Sequence, residues 1–319
     1  DLRDRTVLIT GGGSGIGAAF VEAFVLQGSR VAFLDIQNEV SQELVQSLSG
    51  KGPEPIYLDC DVTDISALKD AIQQVEEELG AVRVLINNAA NDERHSPEEV
   101  TPEYWENRLQ VNLNHHFFAA QAVQPKMAKA GGGSIINMGS ISWHLALEFM
   151  PAYTSSKAAI EGLTVGLARS YGKDRIRVNC IIPGSVRTPR QVKEILTPEY
   201  EKFITGQQCL PDQVLPEDIA QLALFLASDA GRMCTRRNFF MEARNGAYLI
   251  QKKAMKKFRW GVISSAKICT EKVIPAMQQS ETGEIMALAS RSEETSKLVC
   301  ENLGIPKACL LYTSDAADE

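Results

Sequence analysis

The chain has 319 residues, a formal net charge of −7 and a hydrophobic fraction of 44%. This length and composition suffice for one or two domains with a sizeable core, and the negative charge excludes a general attraction to nucleic acid or to an anionic membrane surface. The sequence shows neither a membrane-spanning run nor a signal-peptide layout, and its seven cysteines lack metal-ligand spacing. We therefore expect a cytoplasmic protein with free thiols and no metal.

The first predicted element is a short apolar strand, Thr6–Thr10, which leads directly into a glycine-rich turn. A helix pattern follows the turn and ends at Gly28. Glycines in such a turn let backbone N–H groups approach a pyrophosphate at the positive end of the helix. This order of elements predicts a dinucleotide site whose first contacts are Gly11, Ser14, Gly15, Ile16 and Gly17.

The second predicted strand, Arg30–Leu34, ends in Asp35. A carboxylate at this position can accept both hydroxyls of an adenosine ribose and repels a 2′-phosphate, so it favours NAD over NADP. The alternative is that Asp35 merely caps a loop. After the third strand, Asp61 and Val62 are predicted to lie at the adenine end of the same cofactor.

The fourth predicted strand, Val82–Ile86, runs into small and polar residues, of which Asn88 and Ala89 are predicted to contact the cofactor. The next pattern predicts one long helix, Tyr104–Lys129, with Asn112 among apolar residues. A buried asparagine needs hydrogen-bond partners. Asn112 is therefore either structural, or it opens the helix to a water molecule in a proton relay.

The stretch Ser134–Lys157 brings together three side chains suited to acid–base chemistry. A buried strand delivers Ser140 at its carboxyl end, while Tyr153 and Lys157 are spaced to lie one turn apart on the same face of a helix. An ammonium beside a phenol favours the phenolate, so the pKa of Tyr153 is predicted to fall toward the range of a general base. Taken alone, Tyr-x-x-x-Lys also arises by chance on many helices.

The next predicted strand, Ile176–Ile182, ends in a turn at the edge of the sheet where open α/β proteins bind ligands. The predicted cofactor contacts in this turn are Pro183, Gly184, Val186 and Thr188. Gln191–Gln208 is predicted to be a helical segment over the site. Strands and helices alternate throughout the region, which predicts an α/β protein with a mostly parallel sheet and helices on both faces.

Together these motifs resemble those of the short-chain dehydrogenase/reductase family. The resemblance covers residues 2–241 and rests on the glycine turn, Asn87-Asn88-Ala89-Ala90, Asn112, Ser140, Tyr153-x-x-x-Lys157 and Pro183-Gly184. It implies a Rossmann doubly wound parallel sheet in residues 1–241, NAD as cofactor, and assembly into a dimer or tetramer. It also implies that Tyr153 is the catalytic base, and that Lys157 lowers its pKa and binds the ribose. Ser140 would polarise the substrate, and Asn112 would hold a relay water.

A closer resemblance, to the aldose dehydrogenases of this family, rests on residues 88–95, 139–145 and 207–210. It implies that an aldose such as D-xylose is oxidised at C1 to the aldonolactone. Trp143 offers an apolar face to a sugar ring, and the predicted polar contacts of the sugar are Asn91, Ser140, His144 and Gln191. Alternatively, the loop residues serve only local hydrogen bonds. The substrate is then a ketone or a 3-oxoacyl compound, or the chain is a catalytically silent nicotinamide-binding protein.

The residues after Met241 are predicted to be foreign to this domain. Residues 242–254 form a junction, and residues 255–308 resemble the start of the glucose–fructose oxidoreductase/inositol dehydrogenase family. This second βαβ fragment is predicted to be incomplete, with two strands and two helices. Residues 309–319 resemble the translation of a sequencing-library adapter. The interpretation is a metagenomic gene joined to part of its neighbour, with an artefactual tail.

Overall fold

The structure, a computed structural model, describes residues 1–242, 258–279 and 283–311. The chain divides into two units, Asp1–Tyr248 and Leu249–Glu319. Each unit is organised around a parallel sheet of its own. Apart from Glu242, the predicted junction of residues 242–254 lies outside the described residues.

A seven-stranded parallel sheet forms the centre of the first unit. Its strands are β1 (Thr6–Thr10), β2 (Arg30–Asp35), β3 (Ile56–Asp59), β4 (Val82–Asn87), β5 (Gly133–Met138), β6 (Ile176–Pro183) and β7 (Asn238–Met241). They lie in the order β3-β2-β1-β4-β5-β6-β7, and every neighbouring pair is parallel. The predicted doubly wound parallel sheet is confirmed. Its strand order reverses between β1 and β4, the point at which such sheets bind ligands.

Helices cover both faces of this sheet. They are α1 (Gly15–Leu26), α2 (Asn38–Ser47), α3 (Ile65–Leu79), α4 (Pro102–Leu109), α5 (His115–Lys129), α6 (Pro151–Tyr171), α7 (Pro189–Glu194), α8 (Pro198–Thr205) and α9 (Pro216–Ala227). Several begin at a side chain that accepts hydrogen bonds from the backbone N–H groups of the first turn, such as Asp64 before α3 and Thr101 before α4. Within the described ranges, no helix combines the length and the apolar character needed to cross a membrane.

The alternation of side chains along the strands builds an apolar core on each face of the sheet. In β1, Val7 and Ile9 belong to the core formed with α1 and α9, whereas Leu8 belongs to the core formed with α3 and α5. All three side chains are fully buried. Successive side chains of a strand point to opposite faces, so a strand covered on both faces is apolar throughout. The two cores hold the ends of β1 and β4 in fixed positions.

The predicted long helix Tyr104–Lys129 differs from the structure at its centre. Gln110–Asn114 forms a π-helical turn between α4 and α5, and Asn112 is fully buried in this turn. Its side chain accepts a 2.8 Å hydrogen bond from the N–H of Asn91 and donates a 3.0 Å hydrogen bond to the carbonyl of the same residue. Single π-helical turns are frequent at functional sites. Here the turn is tied to the loop that follows β4.

The segment Gln191–Gln208, predicted to be helical, is divided between two short helices, α7 and α8. Thr188 and Thr197 precede them, and each threonine hydroxyl accepts a 3.2 Å hydrogen bond from a backbone N–H of the first turn. A proline follows each threonine. Proline is favoured at the first position of a helix but breaks a helix in its interior. The Thr197-Pro198 pair therefore separates the two helices.

The second unit contains a three-stranded parallel sheet in the order β10-β9-β8. Its main elements are β8 (Phe258–Ile263), α10 (Ile274–Gln278), β9 (Gly283–Ser290), α11 (Glu293–Leu303) and β10 (Lys307–Leu310), which enclose a small apolar core. The prediction of two strands is wrong, because Cys309 and Leu310, assigned to the tail, pair with β9. The rest of the predicted tail from residue 312 onward lies outside the described residues.

Candidate active site

A cleft of about 480 Å³ opens at the carboxyl ends of the central strands of the first unit. This volume lies within the range of small-molecule sites. Every residue predicted to contact the cofactor lines the cleft: Gly11, Ser14, Gly15, Ile16, Gly17, Asp35, Asp61, Val62, Asn88, Ala89, Tyr153, Lys157, Pro183, Gly184, Val186 and Thr188. Residues from six separate stretches of sequence are thus brought to one surface.

The glycine turn between β1 and α1 forms one end of the cleft. A Cβ atom at Gly17 would lie 1.8 Å from the carbonyl oxygen of Gly11, so the turn and the helix approach each other as closely as their backbones allow. Ser14 precedes α1 but does not cap it with its side chain, and no acidic residue occupies the first turn. Gly15, Ile16 and Gly17, at the positive end of α1, therefore line the cleft with backbone N–H groups that no side chain caps. A pyrophosphate suits this end of the cleft.

Asp35 ends β2 beside this turn. Its Oδ2 accepts a 2.8 Å hydrogen bond from the N–H of Gly13, and its Oδ1 accepts a 2.9 Å hydrogen bond from the N–H of Gln37. Asp35 therefore does stabilise its own loop, as in the alternative interpretation, but it also lines the cleft. These two hydrogen bonds hold the carboxylate in a fixed position on the cleft wall.

Ser140, Tyr153 and Lys157 meet at the other end of the cleft. The Ser140 hydroxyl is hydrogen-bonded to the Tyr153 phenol. Lys157 is 1% exposed, and its Nζ donates a 2.8 Å hydrogen bond to the carbonyl of Met138. Asn112 does not line the cleft, and its side chain is paired with the backbone of Asn91.

The pKa of Tyr153 differs from the prediction. Removal of the phenol from water raises the pKa above its ordinary value, and the carboxylate of Asp92 raises it further. The hydrogen bond from Ser140 and the charges of Arg94 and Arg190 lower it, but they do not offset burial. Burial also lowers the pKa of Lys157 to about 8. The predicted fall in the pKa of Tyr153 is therefore wrong for the protein alone.

Two of the five predicted sugar contacts, Ser140 and Gln191, line the cleft. Trp143, His144 and Asn91 do not. The Nε1 of Trp143 donates a 2.7 Å hydrogen bond to Oε1 of Glu161, and Nε2 of His144 lies 2.8 Å from the same oxygen. The carbonyl and N–H of Asn91 are held by Asn112. The geometry favours a local structural role for these three residues.

Three charged residues for which the sequence predicts no role lie in the cleft and act electrostatically on Tyr153, at what we call the substrate end of the cleft. They are Asp92 and Arg94, from the loop after β4, and Arg190, from α7. Asp92 and Arg94 lie within residues 88–95, which carry the closer family resemblance. This resemblance is the feature of the sequence that could have indicated a role for them. Arg190 is separated from them by almost 100 residues, so its proximity depends on the fold and could not be predicted from spacing.

A parallel α/β sheet with a glycine turn at its switch point and a Ser-Tyr-Lys group in the same cleft defines an oxidoreductase of the Rossmann type. The chain belongs to the short-chain dehydrogenase/reductase family. A family model described as Enoyl-(Acyl carrier protein) reductase matches residues 11–243. The first unit thus carries the family match almost from end to end.

Two relatives are similar over nearly their whole length. D-xylose 1-dehydrogenase of Caulobacter vibrioides is 49% identical over 242 residues, which are 76% of this chain and 96% of the relative. A probable galactose dehydrogenase of Rhizobium meliloti is 46% identical over 243 residues, which are 76% of this chain and 95% of the relative.

Solved structures show the same fold. A short-chain type dehydrogenase/reductase from Mycobacterium ulcerans superposes with a TM-score of 0.72 at 27% identity, covering 76% of this chain and 90% of that structure. A blue fluorescent protein from a metagenomic library, solved in complex with NADPH, has a TM-score of 0.71 at 32% identity and covers 77% of this chain and 99% of its own.

Proposed function

We propose that residues 1–241, which lie within the first unit, form an NAD-dependent aldose 1-dehydrogenase that oxidises a sugar such as D-xylose to its aldonolactone. The observation that carries this proposal is the convergence of Ser140, Tyr153 and Lys157 on a cleft whose substrate end is lined by charged groups. The two relatives whose names specify sugars, at 49% and 46% identity, support the substrate class.

The residues around the glycine turn suit a nicotinamide dinucleotide. The turn leaves no room for a side chain at Gly17, and α1 offers uncapped N–H groups for the pyrophosphate. Asp35 would accept the ribose hydroxyls and disfavour a 2′-phosphate, which supports NAD over NADP. When bound, the cofactor supplies the hydride acceptor, while the protein supplies position and electrostatics.

The polar residues of the cleft have distinct tasks in this proposal. Ser140 and Tyr153 both hydrogen-bond the anomeric hydroxyl, and the phenol takes its proton. Lys157 remains a cation at neutral pH, because its pKa of about 8 lies above 7. Its charge favours the phenolate once substrate and cofactor have displaced water from the cleft. Asn112 holds the loop that carries Asp92, so its role here is to position that loop.

A ketone or 3-oxoacyl reductase remains the alternative within this family, and the description of the matching family model points toward acyl substrates. An acyl chain needs an extended apolar groove. The cleft does contain apolar residues, including Ile141, Leu145 and Leu147, but Asp92 and Arg190 stand beside them. Covering this ion pair with an acyl chain would remove both charges from water, which is costly. A polyhydroxylated substrate satisfies these groups better.

The test is a panel of aldoses with NAD, followed by NADH absorbance, beside a 3-oxoacyl thioester and a cyclic ketone with NADH. We expect turnover of at least one aldose and little turnover of the acyl substrate. A catalytically silent protein would bind NADH, detected by fluorescence, but would turn over none of these compounds. Turnover confined to the acyl substrate or the ketone would contradict the proposal.

A further inference from the structure

Asp92, Arg94 and Arg190 form a charged group at the substrate end of the cleft. Arg190 connects α7 to the loop after β4, because its Nη1 lies 2.5 Å from Oδ1 of Asp92. Within α7, its Nε lies 2.9 Å from Oε2 of Glu194. Arg94 is held separately, with a 3.3 Å hydrogen bond to the carbonyl of Glu148. The ion pair between Asp92 and Arg190 thus joins the loop after β4 to α7 beside the reacting group.

The position of Asp92 is unfavourable for the chemistry assigned to Tyr153. The carboxylate raises the pKa of the phenol, which makes the phenolate harder to form. With a neutral residue at this position, the Tyr153 phenol would ionise more readily. Asp92 therefore does not assist proton transfer to Tyr153, and its place on the cleft wall suits recognition of substrate hydroxyls instead.

The Asp92 carboxylate has the capacity for such a contact. Its side chain is 24% exposed on the cleft wall, and Arg190 engages Oδ1. Within the described residues, Oδ2 has no hydrogen bond. An ionised carboxylate accepts hydrogen bonds at both oxygens, and its bonds to hydroxyl donors are stronger than those of a neutral acceptor. One oxygen is thus held in place and the other is available to a ligand.

We propose that Asp92 is the residue that selects a polyhydroxylated substrate. Its Oδ2 accepts a hydrogen bond from the C2 hydroxyl of an aldose whose C1 hydroxyl lies at Tyr153, and Arg190 positions the carboxylate. This inference rests on the proposed function and adds the contact that distinguishes a sugar from a simple alcohol. A compound without a hydroxyl beside the reacting carbon leaves the Asp92 carboxylate without this bond.

The experiment compares D-xylose and D-galactose with 2-deoxy-D-xylose and 2-deoxy-D-galactose in the full-length chain with NAD. The variants are Asp92→Asn, which removes the charge with little change in shape, and Arg190→Met, which removes the positioning partner. Glu93→Gln is the matched control, because Glu93 lies on the same loop but pairs with Arg108 and does not line the cleft. NADH fluorescence reports whether each variant retains its fold and cofactor site.

We expect Asp92→Asn to lower kcat/KM for the complete sugars by roughly 10- to 100-fold, mainly through KM, as for loss of a charged hydrogen bond. Its kcat/KM for the deoxy sugars should change by less than about threefold. The preference for the C2 hydroxyl then disappears. Arg190→Met should weaken this preference without removing it, and Glu93→Gln should match the wild type.

Equal losses on complete and deoxy sugars would overturn the inference, because they indicate a purely structural role for Asp92. An unchanged preference in Asp92→Asn would also overturn it. If Asp92→Asn does not fold, Arg190→Met tests the inference in its place, and a full preference for the C2 hydroxyl in that variant overturns it. Failure of the proposed function looks different, because the wild-type chain then oxidises none of the sugars, and both proposals fall together.

Discussion

Nζ of Lys157 lies 5.4 Å from the centre of the Tyr153 ring, one helical turn away in α6. The ammonium is almost fully buried and donates to the backbone carbonyl of Met138 at 2.8 Å. Burial lowers its pKa to about 8 from an ordinary value of 10.5, although Cys180 and Asp92 act in the opposite direction. The first unit therefore maintains a cation at a position where the charge costs stability.

Lys157→Met should stabilise the fold while abolishing activity. A pKa lowered from 10.5 to about 8 corresponds to a penalty of up to about 3 kcal/mol for the buried cation, which the variant avoids. The variant also loses the hydrogen bond to Met138, which destabilises it by about 1 kcal/mol. We expect the free energy of unfolding to rise by about 1–2 kcal/mol at pH 7. Urea unfolding followed by circular dichroism measures this change.

The sign of the pH dependence provides a second check on Lys157. The folded pKa is depressed, so the wild type carries the penalty below about pH 8 and loses it as the pH rises from about 8 to 10.5. The advantage of Lys157→Met should therefore shrink between pH 7 and pH 9.5. A constant difference between the two proteins over this range would contradict the assignment of a buried ammonium.

Tyr153→Phe should reduce kcat by roughly 10²- to 10⁴-fold, because proton transfer from the substrate requires the phenol. The affinity for NAD should stay close to that of the wild type, because the substitution leaves the glycine turn at the other end of the cleft unchanged. Tyr171→Phe is the control, because Tyr171 lies at the end of the same helix and outside the cleft. If Tyr153→Phe kept more than about a tenth of the wild-type rate, another group would be the base.

The sequence was sufficient to predict the sheet, the glycine turn and the placement of Ser140, Tyr153 and Lys157. These features depend on local signals: apolar runs of strand length, glycines between strand and helix, and a four-residue spacing within one helix. Each signal is contained within about 20 residues, so no knowledge of distant contacts is needed.

Features that depend on distant contacts were not predictable in the same way. The pairing of Arg190 with Asp92 joins α7 to a loop 98 residues earlier. The π-helical turn at Asn112 depends on its bonds to Asn91, and nothing in the apolar periodicity of the long helix indicates it. The pKa of Tyr153 depends on how deeply the phenol is buried, which sequence spacing does not determine.

Cofactor preference should depend on Asp35. The wild type is expected to favour NAD by at least about 100-fold in kcat/KM, because a carboxylate opposite a 2′-phosphate costs several kcal/mol. Asp35→Ser combined with Ile36→Arg should raise the efficiency with NADP, since Ile36 is exposed and lines the same end of the cleft. Ile36→Arg alone is the control for added charge. Equal efficiency of the wild type with both cofactors would refute this role of Asp35.

Acid should destabilise the first unit through a pair of buried histidines. Burial lowers the pKa of His115 to about 3 and the pKa of His116 well below its ordinary value of 6.5. Both side chains are therefore neutral in the folded state and take up protons on unfolding below about pH 6.5. Each histidine should remove about 1.4 kcal/mol of stability per pH unit below this pH.

Replacement of one histidine tests this mechanism. His116 lies 3.3 Å from Oδ1 of Asn137 through its Nδ1. In His116→Gln, the slope of the free energy of unfolding between pH 4 and pH 6 should be smaller by about 1.4 kcal/mol per pH unit, whatever the stability at pH 7. An unchanged slope would show that His116 does not govern acid unfolding.

A chain that ends after Glu242 should retain the specific activity of the full chain. Every residue assigned to the cleft lies in the first unit, and β7 completes the sheet through pairing with β6 and a 3.0 Å hydrogen bond from Gly184 to the carbonyl of Met241. The second unit has its own small core around Leu288, and its three-stranded sheet is close to the minimum for independent stability.

We expect protease treatment of the full chain to remove the second unit first. Leu288→Asp in the full chain is the matched control, because it disrupts that core without shortening the protein. Equal activity in the full chain, the shortened chain and Leu288→Asp supports an independent first unit. A folded shortened chain without activity would show that the second unit belongs to the enzyme.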